Sequence, residues 1–599
     1  MRMLLSKRKC LALGSALTMI AAAILSIPLS AQTVKPNVLV LVLDQLRADQ
    51  LHCYGNLRQT SPHIDMLAES GVMFTRFNTV APWTSPSFAS LHTSLYPSRH
   101  GVTLFWRPGM PLLNKDIPTL AKNMQEAGYY TAAFVDNSLA GYPLTGSGFD
   151  EYYERSESAL DITQRRSSGP NGENLAATTA SQVLRWLGAH HDSKRPFFLY
   201  VHFLEPHSPY NPPPQDDIFK SGPYSFMTDT GYDMVRGALL RLAMNGDQGA
   251  IQRLYQLYDG KIHHIDRYVG AILDQIKQYH LGKSTYILLT SDHGELLYSH
   301  PNDFLTFDHR SLYDADLHIP LIIAGPGIPQ GKTIESLASN IDTAPTILDL
   351  AGAAPLSDAE GHSLVPLIQG KVASINEYLY AEEDVEIPER SVRDIRYKLI
   401  RNLWTGAEQL FDMQNDPGEL HDVAAIHPKE VQELRAHLDA WMRVNEPTPQ
   451  LQRARWKIYT QPEKTVIVDD VTTGARFLIS PCTEWHSDEN PASGNYGGSS
   501  FWTESGSGSR RAIWHGDDPL VGIYRVSVYV GNPKVGRLAT NAQYRVVAAE
   551  GSKTVLLDLK DDPGTWKSLG IFKDPRYVEL SNDANGVVVA DAVKFDRID

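Results

Sequence analysis

The run Asn37–Leu43, Asn-Val-Leu-Val-Leu-Val-Leu, admits few structural settings. Aliphatic side chains in unbroken succession, with no polar alternation, suit a strand buried on both faces of a helix-covered sheet. The run stops at Asp44. A second run, Tyr286–Leu289, leads into Thr290-Ser291-Asp292-His293-Gly294, and a third, Phe197–Phe203, leads towards Glu205-Pro206-His207. Helical periodicity lies between them, for example over Leu120–Ala127 and Ile262–Ile276. Strands alternating with helices predict an α/β layer fold. Ligands in such folds bind beyond the carboxyl ends of the strands. All three runs place polar, metal-capable residues at that end.

The chain has 599 residues, more than one core accommodates, and 42% are hydrophobic, enough for a large globular interior. Its formal net charge of -14 does not suit a protein that tracks a nucleic-acid backbone. An anionic substrate would need a local positive site, such as a metal. Residues 1–31 read as a signal peptide, with a basic start (Arg2 to Lys9) ahead of the apolar stretch Leu11 to Leu29. That predicts a periplasmic or extracellular protein; an uncleaved membrane anchor is the alternative. No later segment is long and apolar enough to span a bilayer. Of the 3 cysteines, Cys10 lies in the signal, and Cys53 and Cys482 are expected to be unpaired thiols. The count excludes a disulfide scaffold and a cysteine-rich zinc site.

Residues 447–464 carry Pro447, Pro449 and Pro462 and read as a linker after a body spanning 32–446. From 465 to 599 the pattern turns to short β-rich runs punctuated by Gly, Asn, Asp and Ser, which predicts a separate antiparallel β-sandwich.

Within Trp83-Thr84-Ser85-Pro86-Ser87-Phe88, Pro86 suits the first turn of a helix and puts Thr84 just ahead of its N-terminus. Free N–H groups and the helix dipole favour an anion there. A hydroxyl so placed, if also bound to a metal, becomes a nucleophile. Alone, the motif is equally that of a helix cap. Asp44, Asp292 and His293 add two carboxylates and an imidazole, a plausible divalent-metal set. Its oxygen content favours calcium, magnesium or manganese over a purely structural zinc.

The ordered blocks LVLDQLRADQLHCYGN, TSPSFASLHTSLYPSRHGV, FLYVHFLEPHSPYNPP, TSDHGE, HRSLYDADLHIPLII, DTAPTILDLAG and YKLIRNLWTGAEQLFDMQNDPGE resemble the sulfatases of the alkaline phosphatase superfamily, from about Pro36 to Glu446. The resemblance implies a large mixed sheet flanked by helices and an ester hydrolase with one divalent metal ion. Calcium is the ion it implies, with manganese, magnesium or zinc as alternatives. By position, Asp44, Asp292 and His293 correspond to metal ligands, and Thr84 to the nucleophile and a further ligand. Gln45 stands where many sulfatases carry a second aspartate, and resembles the glutamine of phosphonate monoester hydrolases and phosphodiesterases. His207 matches the histidine that holds the substrate anion or protonates the leaving group. His309, four residues before Tyr313, stands where an anion-binding lysine is common. Asn137 is a candidate contact for the substrate oxygen. Together these groups would surround a tetrahedral anion.

The chain departs from the family pattern C/S-x-P-x-R, whose first residue is oxidised to formylglycine. Here the motif reads Thr84-Ser85-Pro86-Ser87-Phe88. Threonine cannot become that aldehyde, so no formylglycine is expected, and phenylalanine replaces the arginine. An intact threonine nucleophile serves phosphodiesterases, phosphatases and phosphotransferases of the superfamily, so the residue chemistry leans towards phosphoesters. A second metal, held by Asp259 and His263 at helical i, i+4 spacing, is a further alternative. So is a non-catalytic glycan-binding protein with this fold. The tail, through Tyr496-Gly497-Gly498, Ala512-Ile513-Trp514, Gly522-Ile523-Tyr524 and Gly564-Thr565-Trp566, resembles the golvesin C-terminal-like domain, also found in xanthan lyases. That implies a carbohydrate- or surface-binding module, in which Trp502, Trp514 and Trp566 could stack on sugars or pack as core.

Overall fold

The computed structural model describes residues 35–598 except 104–112, 138–147, 155–174, 228–238, 240–241, 244–245, 301–308, 385–387, 404–405, 446–464 and short stretches between 469 and 550. The expected signal peptide, the linker and Cys482 therefore lie outside the described residues. Among the described residues, no helix is long and apolar enough to cross a membrane.

The first aliphatic run is strand β1 (Asn37–Leu43). It sits inside an eight-stranded sheet with β2 (Val72–Phe74), β4 (Tyr130–Val135), β5 (Glu151–Glu154), β6 (Phe197–Phe203), β7 (Thr285–Ser291), β8 (Leu321–Ala324) and β9 (Lys332–Ile334); the short β3 (Phe77–Asn78) pairs elsewhere, with β10 (Ala338–Ser339). The order is β5-β4-β6-β1-β7-β8-β2-β9. β1 runs parallel to β6 and β7, whereas β8 is antiparallel to both β7 and β2, so the sheet is mixed.

The unbroken aliphatic run has a direct explanation. Leu39, Leu41 and Leu43 face one core with Val183, Leu187, Leu257 and Ile265. Val38, Val40 and Val42 face a second core with Phe88, Leu91, Leu120 and Ile347. The first layer is built on helices α4 (Leu175–His190) and α5 (Gln248–Gln278) together with α1 (Pro62–Glu69), and the second on α2 (Thr84–Thr93), α3 (Leu120–Glu126) and α6 (Thr343–Ala351). Each such fully buried aliphatic side chain contributes about 1.5–3 kcal/mol. A smaller antiparallel sheet, β11 (Leu379–Glu383) to β14 (Glu408–Asp412) through β12 (Glu389–Arg393) and β13 (Tyr397–Asn402), packs against α7 (Pro428–Asn445) through Val392, Leu399, Leu434 and Leu438.

From Thr465 onwards the chain is all-β, in antiparallel sheets of four, five and three strands. Trp514 belongs to their core: it is 1% exposed, and its indole N–H donates to Asp591 O at 3.1 Å. It is therefore not available to stack on a sugar. Trp502 and Trp566 are half-buried. Cys53 is a free, half-buried thiol.

Candidate active site

Three parallel strands end side by side. Asp44 follows β1, Asp292 and His293 follow β7, and the loop after β6 carries His207. The ligand-type atoms of Asp44, Asp292 and His293 all lie within 4.8 Å of one another, and all three residues are buried. His293 Nε2 is 3.7 Å from Asp44 Oδ1 and 3.6 Å from Asp292 Oδ2.

The two carboxylates are oriented alike. Asp292 Oδ1 accepts the backbone N–H groups of Gln45 (3.0 Å) and His293 (2.9 Å), and Asp44 Oδ2 accepts Asn137 Nδ2 (2.7 Å). The other oxygens, Asp44 Oδ1 and Asp292 Oδ2, are buried without a hydrogen-bond partner. Burial, reinforced by the Asp292 charge, pushes the pKa of Asp44 well above the usual carboxylate range. Two inward-facing, unpaired carboxylate oxygens call for a cation between them. The His293 ring fits the same task. Its Nδ1–H donates to Gly294 O at 2.9 Å, which leaves the Nε2 lone pair directed at the cluster. The donor set thus fits a divalent ion.

Thr84 Oγ1 lies 3.3 Å from His293 Nε2. Thr84 is the first residue of α2 rather than the residue ahead of it, because Trp83 takes the extended cap conformation. Thr84 therefore belongs to the N-terminal turn of α2, the positive end of the helix dipole. Ser87, one turn on, ties α2 to the strand end: its hydroxyl donates to Asp292 O at 2.6 Å and receives Asn340 Nδ2 at 3.0 Å.

Gln45 orients a chain of donors. Its backbone occupies the left-handed region (φ 65°), which turns its N–H onto Asp292. Ser208 N–H donates to Gln45 Oε1 at 3.1 Å, so the amide must present Nε2 to His309 Nδ1, 2.8 Å away. His309 Nδ1 thus accepts, and Nε2 carries the proton. Burial keeps this ring neutral, its pKa well below the ordinary value. His207 Nδ1–H donates to Ser208 O at 2.8 Å, which makes Nε2 the nitrogen that gives or takes a proton. The His207 and His309 rings meet edge to face at 6.1 Å, and His309 stacks on His293 at 4.4 Å.

All the sequence-derived site residues, Asp44, Gln45, Thr84, Asn137, His207, Asp292, His293 and His309, lie at this end of the sheet, each linked to the others by a contact described above. Asn137 also holds Asp44 through its side-chain amide. The alternative second metal site is not formed: the Asp259 carboxylate is engaged by the Arg58 guanidinium and by Asn56 Nδ2 at 3.3 Å. A cation is already supplied there. Phe88 fills the arginine position as a buried ring, edge-on to His202 at 4.9 Å. His202, Ser291, Asn340 and Tyr258 were not anticipated. Tyr258 OH donates to Gln45 O at 2.6 Å, and Ser291 Oγ receives Leu46 N–H at 2.9 Å. His202 alone left a trace in the sequence, as a polar interruption of an otherwise apolar run.

Residues 36–353 match the sulfatase family, 302–446 the N-sulphoglucosamine sulphohydrolase C-terminal region, and 466–597 the golvesin C-terminal domain. An arylsulfatase of Clostridium perfringens is 27% identical over 447 residues, covering 64% of this chain and 89% of the relative. A Δ4,5-hexuronate-2-O-sulfatase of Bacteroides thetaiotaomicron is 27% identical over 439 residues, covering 68% and 89%. The crystal structure of a phosphonate monoester hydrolase of Agrobacterium radiobacter superposes with a TM-score of 0.52 at 25% identity, over 67% of this chain and 96% of that one. With the sheet, the strand-end cluster and more than half of its length matched, the chain belongs to the sulfatase family of sulfuric ester hydrolases.

Proposed function

We propose that this protein is an exported, metal-dependent ester hydrolase in which unmodified Thr84 is the nucleophile. The observation that carries the reading is the convergence of Thr84 Oγ1, His293 Nε2 and the unpartnered oxygens of Asp44 and Asp292 on one buried point. Asp44, Asp292, His293 and Thr84 would hold the ion. Bound there, a divalent metal lowers the pKa of a ligated hydroxyl and offsets substrate charge.

The chain's own groups account for the rest. Thr84 Oγ1, its proton already lost to solvent, forms the bond to sulfur or phosphorus while the bond to the ester oxygen breaks. His207 Nε2, when protonated, gives its proton to the leaving alcohol. His309 Nε2–H and the N-terminal amides of α2 donate to the non-bridging oxygens as charge builds on them. Water then attacks the threonine ester, giving a proton back to His207 Nε2 as the bond to Thr84 Oγ1 breaks and the alkoxide is restored. A threonine phosphate can be cleaved in this way, whereas a threonine sulfate lacks the release route that a formylglycine hydrate provides. This supports phosphate mono- or diesters alongside sulfate esters, and the phosphonate monoester hydrolase likeness points the same way. A saccharide ester is the substrate class suggested by the hexuronate sulfatase relative, with residues 465–599 as a carbohydrate-binding module.

The test compares aryl sulfate, aryl phosphate and aryl phosphodiester hydrolysis with calcium, magnesium, manganese or zinc, beside Thr84→Ala. Metal-dependent turnover that vanishes in the variant is expected. Full activity without Thr84, or none on any ester with any metal, would sink the mechanism.

A further inference from the structure

The two oxygens of Asp44 face different neighbours. Oδ1 turns to the metal-type cluster. Oδ2 receives Asn137 Nδ2 at 2.7 Å and has His202 Nε2 3.5 Å away. A carboxylate oxygen accepts two hydrogen bonds, so Asn137 leaves one place, and His202 Nε2 comes within 3.5 Å of that oxygen without yet making a hydrogen bond to it. His202 is 0% exposed, and neither of its ring nitrogens makes a hydrogen bond among the described residues. A buried imidazole N–H needs an acceptor, and Asp44 Oδ2 is the one at hand.

The ring is also held in place. Its backbone sits in the centre of the sheet, in register with Val42 of β1 and Val135 of β4. Phe88, one turn after Thr84 on α2, meets the ring edge-on at 4.9 Å. Asn137, just beyond the end of β4, and His202, on the neighbouring β6, thus approach the same oxygen.

We infer that His202 is a positioning residue: its Nε2–H donates to Asp44 Oδ2 and so commits Oδ1 to the metal. This rests on the reading that Asp44 holds a divalent ion. Removing a hydrogen-bond partner that orients a metal ligand typically weakens metal binding by about 10–100-fold.

The experiment titrates the metal-stripped full-length chain with Mn2+ by calorimetry, for the parent, His202→Gln and His202→Met. Glutamine keeps an N–H donor at comparable reach, whereas methionine has similar bulk and none. The expected result is a Kd about 10–100-fold weaker in His202→Met and close to the parent value in His202→Gln. KM for an aryl ester should be unchanged in both at saturating Mn2+. Equal Kd in the two variants, whether strong or weak, overturns the inference while leaving the metal reading intact. A parent that takes up no Mn2+ overturns both. Histidine 15N shifts of the metal-free parent give a check that needs no folded variant. An Nε2–H tautomer at His202 is expected, and an Nδ1–H tautomer would refute the assignment.

Discussion

Under the proposed mechanism, Thr84 sets which ester chemistry is open to this chain, and the side chains around it show how finely single atoms are placed. Thr84→Ser keeps a hydroxyl at the first position of α2 and is expected to retain metal-dependent turnover. Thr84→Ala should lose roughly a thousandfold or more in kcat, as nucleophile deletions do; steady-state kinetics at saturating metal separates the two. A second residue-scale consequence concerns acid. Burial lowers the pKa of His92 from 6.5 to about 3, so the folded chain keeps this ring neutral while the unfolded chain protonates it. The unfolded state therefore binds the extra proton in that window, and stability must fall as pH drops from 6.5 towards about 3. The stability is present above the unfolded pKa and is lost on the way down. His92 packs against Tyr200 at 4.6 Å and Phe88 at 5.8 Å, so phenylalanine fits its place. His92→Phe should flatten this part of the profile in denaturant midpoints measured against pH.

At the scale of elements, a buried ion cluster fastens the His309-bearing segment to the smaller sheet. Lys398 on β13 contacts Asp314 at 2.9 Å and Glu419 at 2.8 Å, and Arg393 on β12 reaches Asp314 at 2.8 Å. Asp314 follows Tyr313, whose ring stacks on His300 at 3.8 Å. Lys398→Ala would leave Glu419 buried without its cation and should lower stability by about 3–5 kcal/mol in chemical unfolding. Much of this architecture was legible in the sequence. The aliphatic runs mark the central strands because a strand buried on both faces has no polar residue to spare, and the chemistry follows them at the strand ends. Asp44, Asp292, His293 and His207 lie where that reading puts them, beyond the ends of those strands. Ser87, Asn340 and Tyr258 could not be found this way, since their roles depend on which strand end each reaches across the fold. The hydrogen bond from Asn137 to Asp44 could not be read from the sequence, because a side-chain amide reads alike whether it meets a substrate oxygen or a carboxylate. Asp259 misled through helical spacing, which says nothing of the arginine that arrives from a distant loop.

For the whole molecule, the strands after Thr465 pair only with one another among the described residues. We therefore expect the chain to divide functionally near residues 447–464. A chain ending at 446 should hydrolyse a small aryl ester with the kcat of the full chain, but should be retained less on an immobilised acidic polysaccharide. Loss of kcat on the small ester would show that the two parts do not act independently.

Every residue of α2, from Thr84 to Thr93, is buried. Any enzyme that had to rebuild side chain 84 would have to act before the fold closed over it. A cysteine at that place depends on such a passing encounter during biosynthesis. A threonine emerges from translation already finished, so activity per mole of purified protein should be the same from hosts with and without the oxidising machinery. Under the proposed mechanism, no modification step stands between folding of this chain and uptake of its metal.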